Sequence, residues 1–358
     1  MAAAGIFQRS AQRLAERLPR LWYRSRLALI LLPLLPLSWL FGALVRLRRT
    51  LYRRGVLRSH RLMVPVIVVG NLTVGGSGKT PLVLWLVDRL KEAGWRPGVI
   101  SRGHGGAAEG VCEVTTGSDA RLVGDEPLLL ARRCRQPVFV GRDRVAAGRA
   151  LLENYPQCDL IVADDGLQHY RLQRSIEIAV FDGRGAGNAR VLPAGPLREP
   201  LSRLSAVSVV VWNSTAPARL LADGALPAAP QFVMQLVGQR FVALSDAQRF
   251  CSADQLCGKR LYAIAGIGDP SRFFRQLQAL GLEFTPRAYP DHHDYRADDL
   301  AFAADGVLLM TEKDAVKCVA LTAREAWVLP VEAQVLVAPD GRSLLATILE
   351  KLNGFPSA

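Results

Sequence analysis

Residues 64–81 read VPVIVVGNLTVGGSGKTP. The first six are apolar and mostly β-branched, the composition of a buried strand. Thr73-Val74-Gly75-Gly76-Ser77-Gly78-Lys79-Thr80 then comes close to G-x-x-x-x-G-K-[ST], and an apolar helix is expected over 81–90. A strand before and a helix after is the setting in which such a loop cradles a polyphosphate. Its glycines let backbone N–H groups close around phosphate oxygens, and the helix N-terminus adds partial positive charge. Lys79 is placed to reach the β- and γ-phosphates, and the Thr80 hydroxyl to ligate Mg²⁺. Thr73 stands where the pattern has its first glycine. The stretch predicts nucleotide binding by residues 73–80. It also predicts an α/β fold of the P-loop NTPase type, a mostly parallel sheet with helices on both faces.

Outward from that loop, short apolar strands alternate with helices. Strands are expected at 64–69, 97–101, 137–140, 159–163, 176–181 and 206–212, with a helix over 142–154. Residues 213–230 are rich in Ala and Pro and read as a linker. QFVMQLVGQRFVAL (231–244) alternates like two short strands around a turn. A second α/β segment follows, with strands at 261–266, 306–310 and 326–331 and helices at 270–280 and near 343–352. The expected organisation is a basic N-terminal segment (1–61), a P-loop domain (62–212), and a linker with a two-stranded ribbon (213–245). A smaller α/β domain (246–335) and a C-terminal helix packing back on the core (336–358) complete it.

The chain has 358 residues, half of them hydrophobic, which excludes a disordered or collagen-like protein and leaves room for two domains. Its net charge is +13, but the first 61 residues hold thirteen arginines, no lysine and one acid, Glu16. The remainder is close to neutral, so no nucleic-acid partner is expected. The arginines instead frame LALILLPLLPLSWLFGALV (27–45), an uncharged run between Arg26 and Arg46. A helix rising ~1.5 Å per residue over that run just spans ~30 Å of hydrocarbon. Pro33 and Pro36 are expected to kink it. Both flanks are basic, so a full span and a helix lying in the cytoplasmic leaflet are both open. No A-x-A site follows, which argues against a secretory signal. The six cysteines lack C-x-x-C spacing, which argues against a zinc ribbon or disulfide scaffold and fits a reducing cytosol.

Acids gather after the strands. GDEP (124–127) holds Asp125 and Glu126, with Asp125 either a helix cap or a chemical group. DLIVADDGLQHYRL (159–172) ends a strand on Asp164 and Asp165, where a P-loop protein holds its Mg²⁺-associated Asp. Two adjacent carboxylates repel unless cations share the site. Asp182 ends the next strand in the same way, while Glu177 lies near its start. Arg102 and His104 in SRGHGG, and His169 and Arg171 in QHYR, follow strands on the same expected face. Arg102, His169 and Arg171 are candidate substrate contacts, the two arginines for an anion. In YPDHHDY (289–295), His292 and His293 are neighbours and point apart in extended chain, so a shared metal ion is not expected. One histidine paired with an acid suits proton chemistry. AGIGDPSRF (265–273) reads as a helix start with Asp269 as N-cap, and TEKDAVK (311–317) only faintly resembles a guanine reader.

Together, GNLTVGGSGKTP, SRGHGG, GDEP, DDGLQHYRL, LPAGPLRE (192–199) and DHH (291–293) resemble the tetraacyldisaccharide 4'-kinase family in kind and order, from about residue 64 to 317. The apolar N-terminal segment matches as well. His104 stands where that family usually has Tyr, and the Thr opening the loop is shared. The resemblance implies two α/β domains joined by a two-stranded ribbon. It implies a monotopic or single-span inner-membrane enzyme whose site faces the cytosol. ATP and Mg²⁺ would be its cofactors, and its acceptor the 4'-hydroxyl of the lipid tetraacyldisaccharide 1-phosphate, giving lipid IVA. Carried over by motif, Asp125 is the implied base and His292 its partner. Glu126, Asp164 and Asp165 are implied metal or substrate ligands beside Thr80, and Lys79 keeps its phosphate role. Two rivals are a membrane-tethered GTPase, which needs a proper guanine reader, and a DHH-type phosphoesterase, which needs no P-loop.

Overall fold

All five residues of Val66–Gly70 are buried. Ile67 and Val69 point into one hydrophobic core and Val66 and Val68 into another, because successive side chains on a strand face opposite ways. A strand apolar on both faces belongs inside a parallel sheet covered on both sides. The computed structural model describes residues 18, 21–24, 27–215, 227–321, 324–338 and 340–353. Glu16, Arg17, Arg20 and Arg26 of the expected basic flank, residues 216–226 of the expected linker, and the last five residues lie outside these.

Strands run in chain order as β1 (Val66–Gly70), β2 (Pro97–Ser101), β3 (Val111–Glu113), β4 (Val138–Gly141), β5 (Leu160–Asp164), β6 (Ile176–Asp182), β7 (Val209–Asn213) and β8 (Gln231–Val237). They continue with β9 (Phe241–Ala243), β10 (Phe250–Cys251), β11 (Leu261–Ala265), β12 (Thr285–Ala288), β13 (Val307–Thr311), β14 (Ala326–Leu329) and β15 (Glu332–Val335). Among the described residues they form a nine-stranded sheet, order β15-β8-β7-β6-β1-β5-β2-β4-β3, and a six-stranded one, order β10-β9-β14-β13-β11-β12. The large sheet is parallel from β8 to β4 and antiparallel only at its two edges. Helices Lys79–Glu92, Asp125–Cys134 and Leu344–Leu352 cover one face, and Arg144–Asn154 the other. The small sheet also carries helices on both faces, among them Pro270–Ala279 and Glu312–Cys318. In the β1–β5 register Val69 lies opposite Asp164, so the glycine loop and the acid pair leave the sheet side by side. That is the carboxyl edge, where open α/β sheets bind ligands.

Three expectations need correction. The two strands expected in 231–244 do not pair with each other. β8 is parallel to β7 and antiparallel to β15, whereas β9 is antiparallel to β14 in the other sheet. Alternation marks a strand but not its partner. Second, β15 was counted with the smaller domain (246–335) yet completes the large sheet. The chain thus crosses between the sheets twice, after β8 and after β14. At the first crossing a Cβ on Gly238 would meet the Pro330 carbonyl oxygen of the second at 2.7 Å, so the two crossings touch. Third, the apolar run is not one kinked helix. A 3₁₀ segment, Leu29–Leu34, leads into an unbroken α-helix, Leu35–Arg53. Pro36 sits in its first turn, where the missing N–H removes no hydrogen bond.

The C-terminal helix is part of the main core: Leu344, Ile348 and Leu352 are at most 1% exposed and share a cluster with Leu82, Leu86 and Leu90. Ile348→Ala should therefore cost about 2–5 kcal/mol in urea unfolding, as for other fully buried aliphatic truncations. A loss below about 0.5 kcal/mol, typical of surface positions, would mean that this helix is not packed on the sheet.

Candidate active site

The glycine loop turns into its helix at Gly78, whose φ of 89° is left-handed. Glycine is required there twice over, since a Cβ would also meet Asn213 Nδ2 at 2.1 Å. Asn213, at the end of β7, donates from that nitrogen to the Ser77 carbonyl at 3.0 Å and so fixes the loop's course. Lys79 is buried, with Nζ 3.7 Å from Asp165 Oδ1. Asp165 has a left-handed φ of 47° and accepts from Arg198 Nη1 at 3.0 and 3.1 Å. Burial opposes its charge, but Lys79 and Arg198 outweigh that and hold its carboxyl at about 2. Asp164 is the contrasting case. It is wholly buried, and neither carboxylate oxygen has a hydrogen-bond partner. Burial, then the neighbouring Glu126 charge, push it up to about 7.

Asp125 opens the helix Asp125–Cys134 and is 5% exposed. Gly124, not Asp125, is the N-cap, which leaves the Asp125 carboxylate free to face the second domain. There His292 Nδ1 lies 3.1 Å from both of its oxygens. Burial works against the Asp125 charge, yet the His292 hydrogen bond and the Lys313 and Lys317 ammonium groups keep its carboxyl at about 2. The same bond raises the His292 imidazole above its ordinary value. Glu126 points the other way and pairs with Lys313 Nζ at 3.0 Å. Two cavities flank this helix start. One is lined by Gly76–Thr80, Glu126, Gly268 and Lys313, with apolar walls from Leu84, Leu129, Ile267 and Phe273. The other is lined by His104, Arg121, Asp125, His292 and Lys317. The first suits a phosphate tail carrying an apolar-faced base, and the second a polar acceptor beside a carboxylate.

This arrangement has relatives. The family model for tetraacyldisaccharide-1-P 4'-kinase matches residues 30–353. The chain belongs to that family. It is 52% identical over 341 residues to a tetraacyldisaccharide 4'-kinase of Azoarcus sp. (strain BH72), covering 94% of this chain and 96% of the relative. It is 51% identical over 345 residues to that of Dechloromonas aromatica (strain RCB), covering 95% and 98%. Among solved structures it is similar to LpxK from Aquifex aeolicus crystallised in complex with ATP. There the TM-score is 0.76 at 29% identity, over 90% of this chain and 100% of that one.

Within this family member, the residues singled out by motif fall into two groups. Thr73 through Thr80, Asp125, Glu126, Asp164, Asp165 and His292 converge at the carboxyl edge of the large sheet. Arg102, His169 and Arg171 do not line the cavity beside Asp125. Arg102 is exposed, Arg171 pairs with Asp143 at 3.0 Å, and His169 is a half-buried ring whose imidazole is held down at about 4 by burial and by Arg144. Glu177 is tied to Arg174 and Arg203 at the far end of β6, Asp182 to Arg184, and His293 to Asp299. Asp269 makes no side-chain cap. Asp314 is no base reader: it is buried, accepting from the Gly266 N–H and the Tyr295 and Thr311 hydroxyls. Motif reading passed over Lys313, Lys317, Arg198 and Asn213. A signal existed for the two lysines, since their i, i+4 spacing puts both on one helix face.

The Asp164 environment makes a pH test. An unfolded Asp releases its proton near 4, whereas the buried one keeps it up to about 7. Over that window the folded state binds the extra proton, so stability is full at low pH and falls as pH rises towards 7. In chelator-containing buffer, the Tm of Asp164→Asn minus that of wild type should grow from pH 5 to pH 8. A difference that does not change with pH would contradict this environment.

Proposed function

We propose that this chain transfers the γ-phosphate of ATP to the 4'-hydroxyl of tetraacyldisaccharide 1-phosphate, with Asp125 as the proton acceptor. The observation that carries the reading is the Asp125–His292 pair, set between a cavity floored by Lys79 and Thr80 and a second cavity open to an acceptor. The Pγ–O bond to ADP breaks, the sugar oxygen bonds to phosphorus, and the hydroxyl proton passes to Asp125. With a carboxyl held at about 2, Asp125 is ionised throughout the physiological range. It can orient the hydroxyl from the start, and it takes the proton as bonding to phosphorus makes the hydroxyl strongly acidic. His292 supports the carboxylate from the far side, and Lys79 with the loop N–H groups meets the growing phosphate charge.

The residues also fit Mg²⁺. Among the described residues no group of three or more His, Cys, Asp or Glu could hold a metal ion alone. Mg²⁺ rarely needs one, since one or two carboxylates plus phosphate oxygens suffice. The two unpartnered oxygens of Asp164, with Glu126 beside them, are a demand for a cation. Asp164, the Thr80 hydroxyl and Glu126 would hold the ion, which would offset the charge of the phosphate oxygens. Asp165, expected as a further ligand, instead positions Lys79 and Arg198.

The anchor supports a monotopic enzyme on the cytoplasmic face of the inner membrane. Leu37, Trp39, Leu40, Leu44 and Leu47 are each more than half exposed. The opposite face of the same helix holds the kinase domain. Ser38 Oγ donates to the Val191 carbonyl at 2.7 Å, Arg48 donates to the Gln168 carbonyl at 3.3 Å, and Tyr52 packs on Tyr170. A helix bound to a polar domain from Ser38 to Tyr52, ~21 Å of its length, fits lying in one leaflet better than crossing both.

Labelled ATP and the disaccharide 1-phosphate should yield a doubly phosphorylated lipid. Asp125→Asn should lower kcat by ~10²–10⁴, the usual range for a proton acceptor, with the KM for ATP little changed. Near-normal turnover would reduce Asp125 to a structural acid. For the anchor, Leu40→Asp with Leu44→Asp should cut retention on liposomes while leaving turnover of detergent-dispersed acceptor within about twofold. Undiminished retention would place membrane binding elsewhere.

A further inference from the structure

Lys313 lines the cavity of the glycine loop and bonds to His292, which lines the other. It is in the first turn of the helix Glu312–Cys318, so it reaches the site from the second domain. Its Nζ lies 3.0 Å from Glu126 Oε1, 3.0 Å from Asp291 Oδ1 and 3.2 Å from His292 Nε2. An ammonium has three N–H groups, and here each has an acceptor. The side chain is only 15% exposed, and it lines the same cavity as Lys79 and Thr80. The two lysines approach that cavity from different domains, and Glu126 and Asp164 are the acids between them.

The acids explain what happens when a polyphosphate enters. Glu126 pairs with Lys313 and is also the neighbouring charge that acts most strongly on the unpartnered carboxylate of Asp164. It cannot serve Lys313 and a cation at Asp164 equally well. Phosphate oxygens are acceptors of the same kind as carboxylate oxygens and carry more charge, so a flexible lysine stem exchanges one for the other at little cost.

We propose that Lys313 is a catalytic residue: with ATP bound it leaves Glu126 for an oxygen of the terminal phosphate and holds it from the side opposite Lys79. The same movement releases Glu126 towards the cation demanded by Asp164. This rests on the reading of the site as an ATP-dependent kinase. It assigns to the second domain a direct part in the chemistry, besides presenting His292. The transferring phosphoryl group spreads charge over its equatorial oxygens, and a second buried cation would meet that charge as it grows.

The rival role for Lys313 is a latch that merely ties the domains together through Glu126. A latch affects all nucleotides alike, whereas a contact to the terminal phosphate separates ATP from ADP. The test is calorimetric binding of ADP and of a non-hydrolysable ATP analogue to the full chain with Mg²⁺, comparing wild type, Lys313→Met and Lys313→Arg. Lys313→Met should leave ADP affinity within about twofold and weaken the analogue about tenfold or more, the effect of one lost charge-assisted bond. Its kcat should fall ~10²–10³, the cost of removing one donor to a developing anion, with partial rescue by Lys313→Arg. Equal weakening of both nucleotides would establish the latch and overturn the proposal, as would an unchanged analogue affinity. Should Lys313→Met not fold, Lys313→Gln keeps a hydrogen-bond donor without the charge and carries the same comparison. Wild-type protein that binds ATP but phosphorylates no acceptor would refute the kinase reading, while the ratio of analogue to ADP affinity would still report on Lys313.

Discussion

Four carboxylates, Asp125, Glu126, Asp164 and Asp165, are drawn together at the carboxyl edge of the large sheet, Asp164 and Asp125 buried and Glu126 and Asp165 about a quarter exposed. Their mutual repulsion under burial is the constraint that organises the molecule. The P-loop domain answers part of it from within: Lys79 and Arg198 hold Asp165, and Arg144 donates to the Asp165 carbonyl at 3.0 Å. The rest is answered from outside. Lys313 meets Glu126, Lys317 meets Asp125 with Nζ at 3.6 Å from Oδ2, and His292 bonds to Asp125. Further along the same pair of helices Arg133 bonds to Glu312. The interface between the two domains is therefore an ionic one, and its partners are the groups the chemistry uses. Among the described residues the Asp164 carboxylate has no hydrogen-bond partner, and that is where a cation fits.

Glycine brings the two domains within reach. A Cβ on Gly268 would meet the Gly76 nitrogen at 2.5 Å, so the loop before Pro270–Ala279 can lie on the phosphate loop only because residue 268 has no side chain. The two chain crossings that touch at Gly238 lie along the same seam. Contacts made by charges respond to a change in local charge. Entry of a polyphosphate is such a change, since it adds negative charge between Lys79 and Lys313. The apolar cores of the two sheets are separate clusters, so each domain keeps its own packing while the seam adjusts.

Legibility in the sequence follows the range of the interactions. The phosphate loop was readable because its strand, glycines and helix are contiguous, and the parallel sheet because β1, β5 and β6 are apolar on both faces. The family could be read because its motifs keep a fixed order. Strand partners were not readable. Nothing in Gln231–Ala243 says that β8 and β9 join different sheets, and Glu332–Val335 is too short and too mixed in character to announce an edge strand. In the site, Asp125 and His292 stand 167 residues apart, and only the resemblance paired them in advance. The Arg171 ion pair was not readable for the same reason, since its partner Asp143 is remote in sequence and unmarked by any motif. Lys313 is hidden in TEKDAVK because that run resembles a base-reading motif, whereas its Asp314 is buried and its lysines pair with Glu126 and Asp125 of the P-loop domain.

The loop that carries LPAGPLRE joins the anchor to the chemistry. Its Val191 accepts from Ser38 on the apolar helix and packs where Gly42 leaves room, a Cβ there coming within 3.3 Å. Seven residues later Arg198 holds Asp165, which in turn positions Lys79. The backbone between them is pinned at its far end, by Thr73 bridging to Leu197 and by the Arg198 N–H donating to the Leu72 carbonyl at 2.6 Å. The exposed apolar helix and the phosphate loop are thus joined through one short, well-braced segment. On the proposed reading, with Leu40 and Leu44 in the leaflet, this segment sets the height of the phosphate loop above the surface. A soluble kinase could place its phosphate loop anywhere on its surface. One whose acceptor cannot leave the bilayer needs the fixed offset that Ser38, Val191 and Arg198 provide.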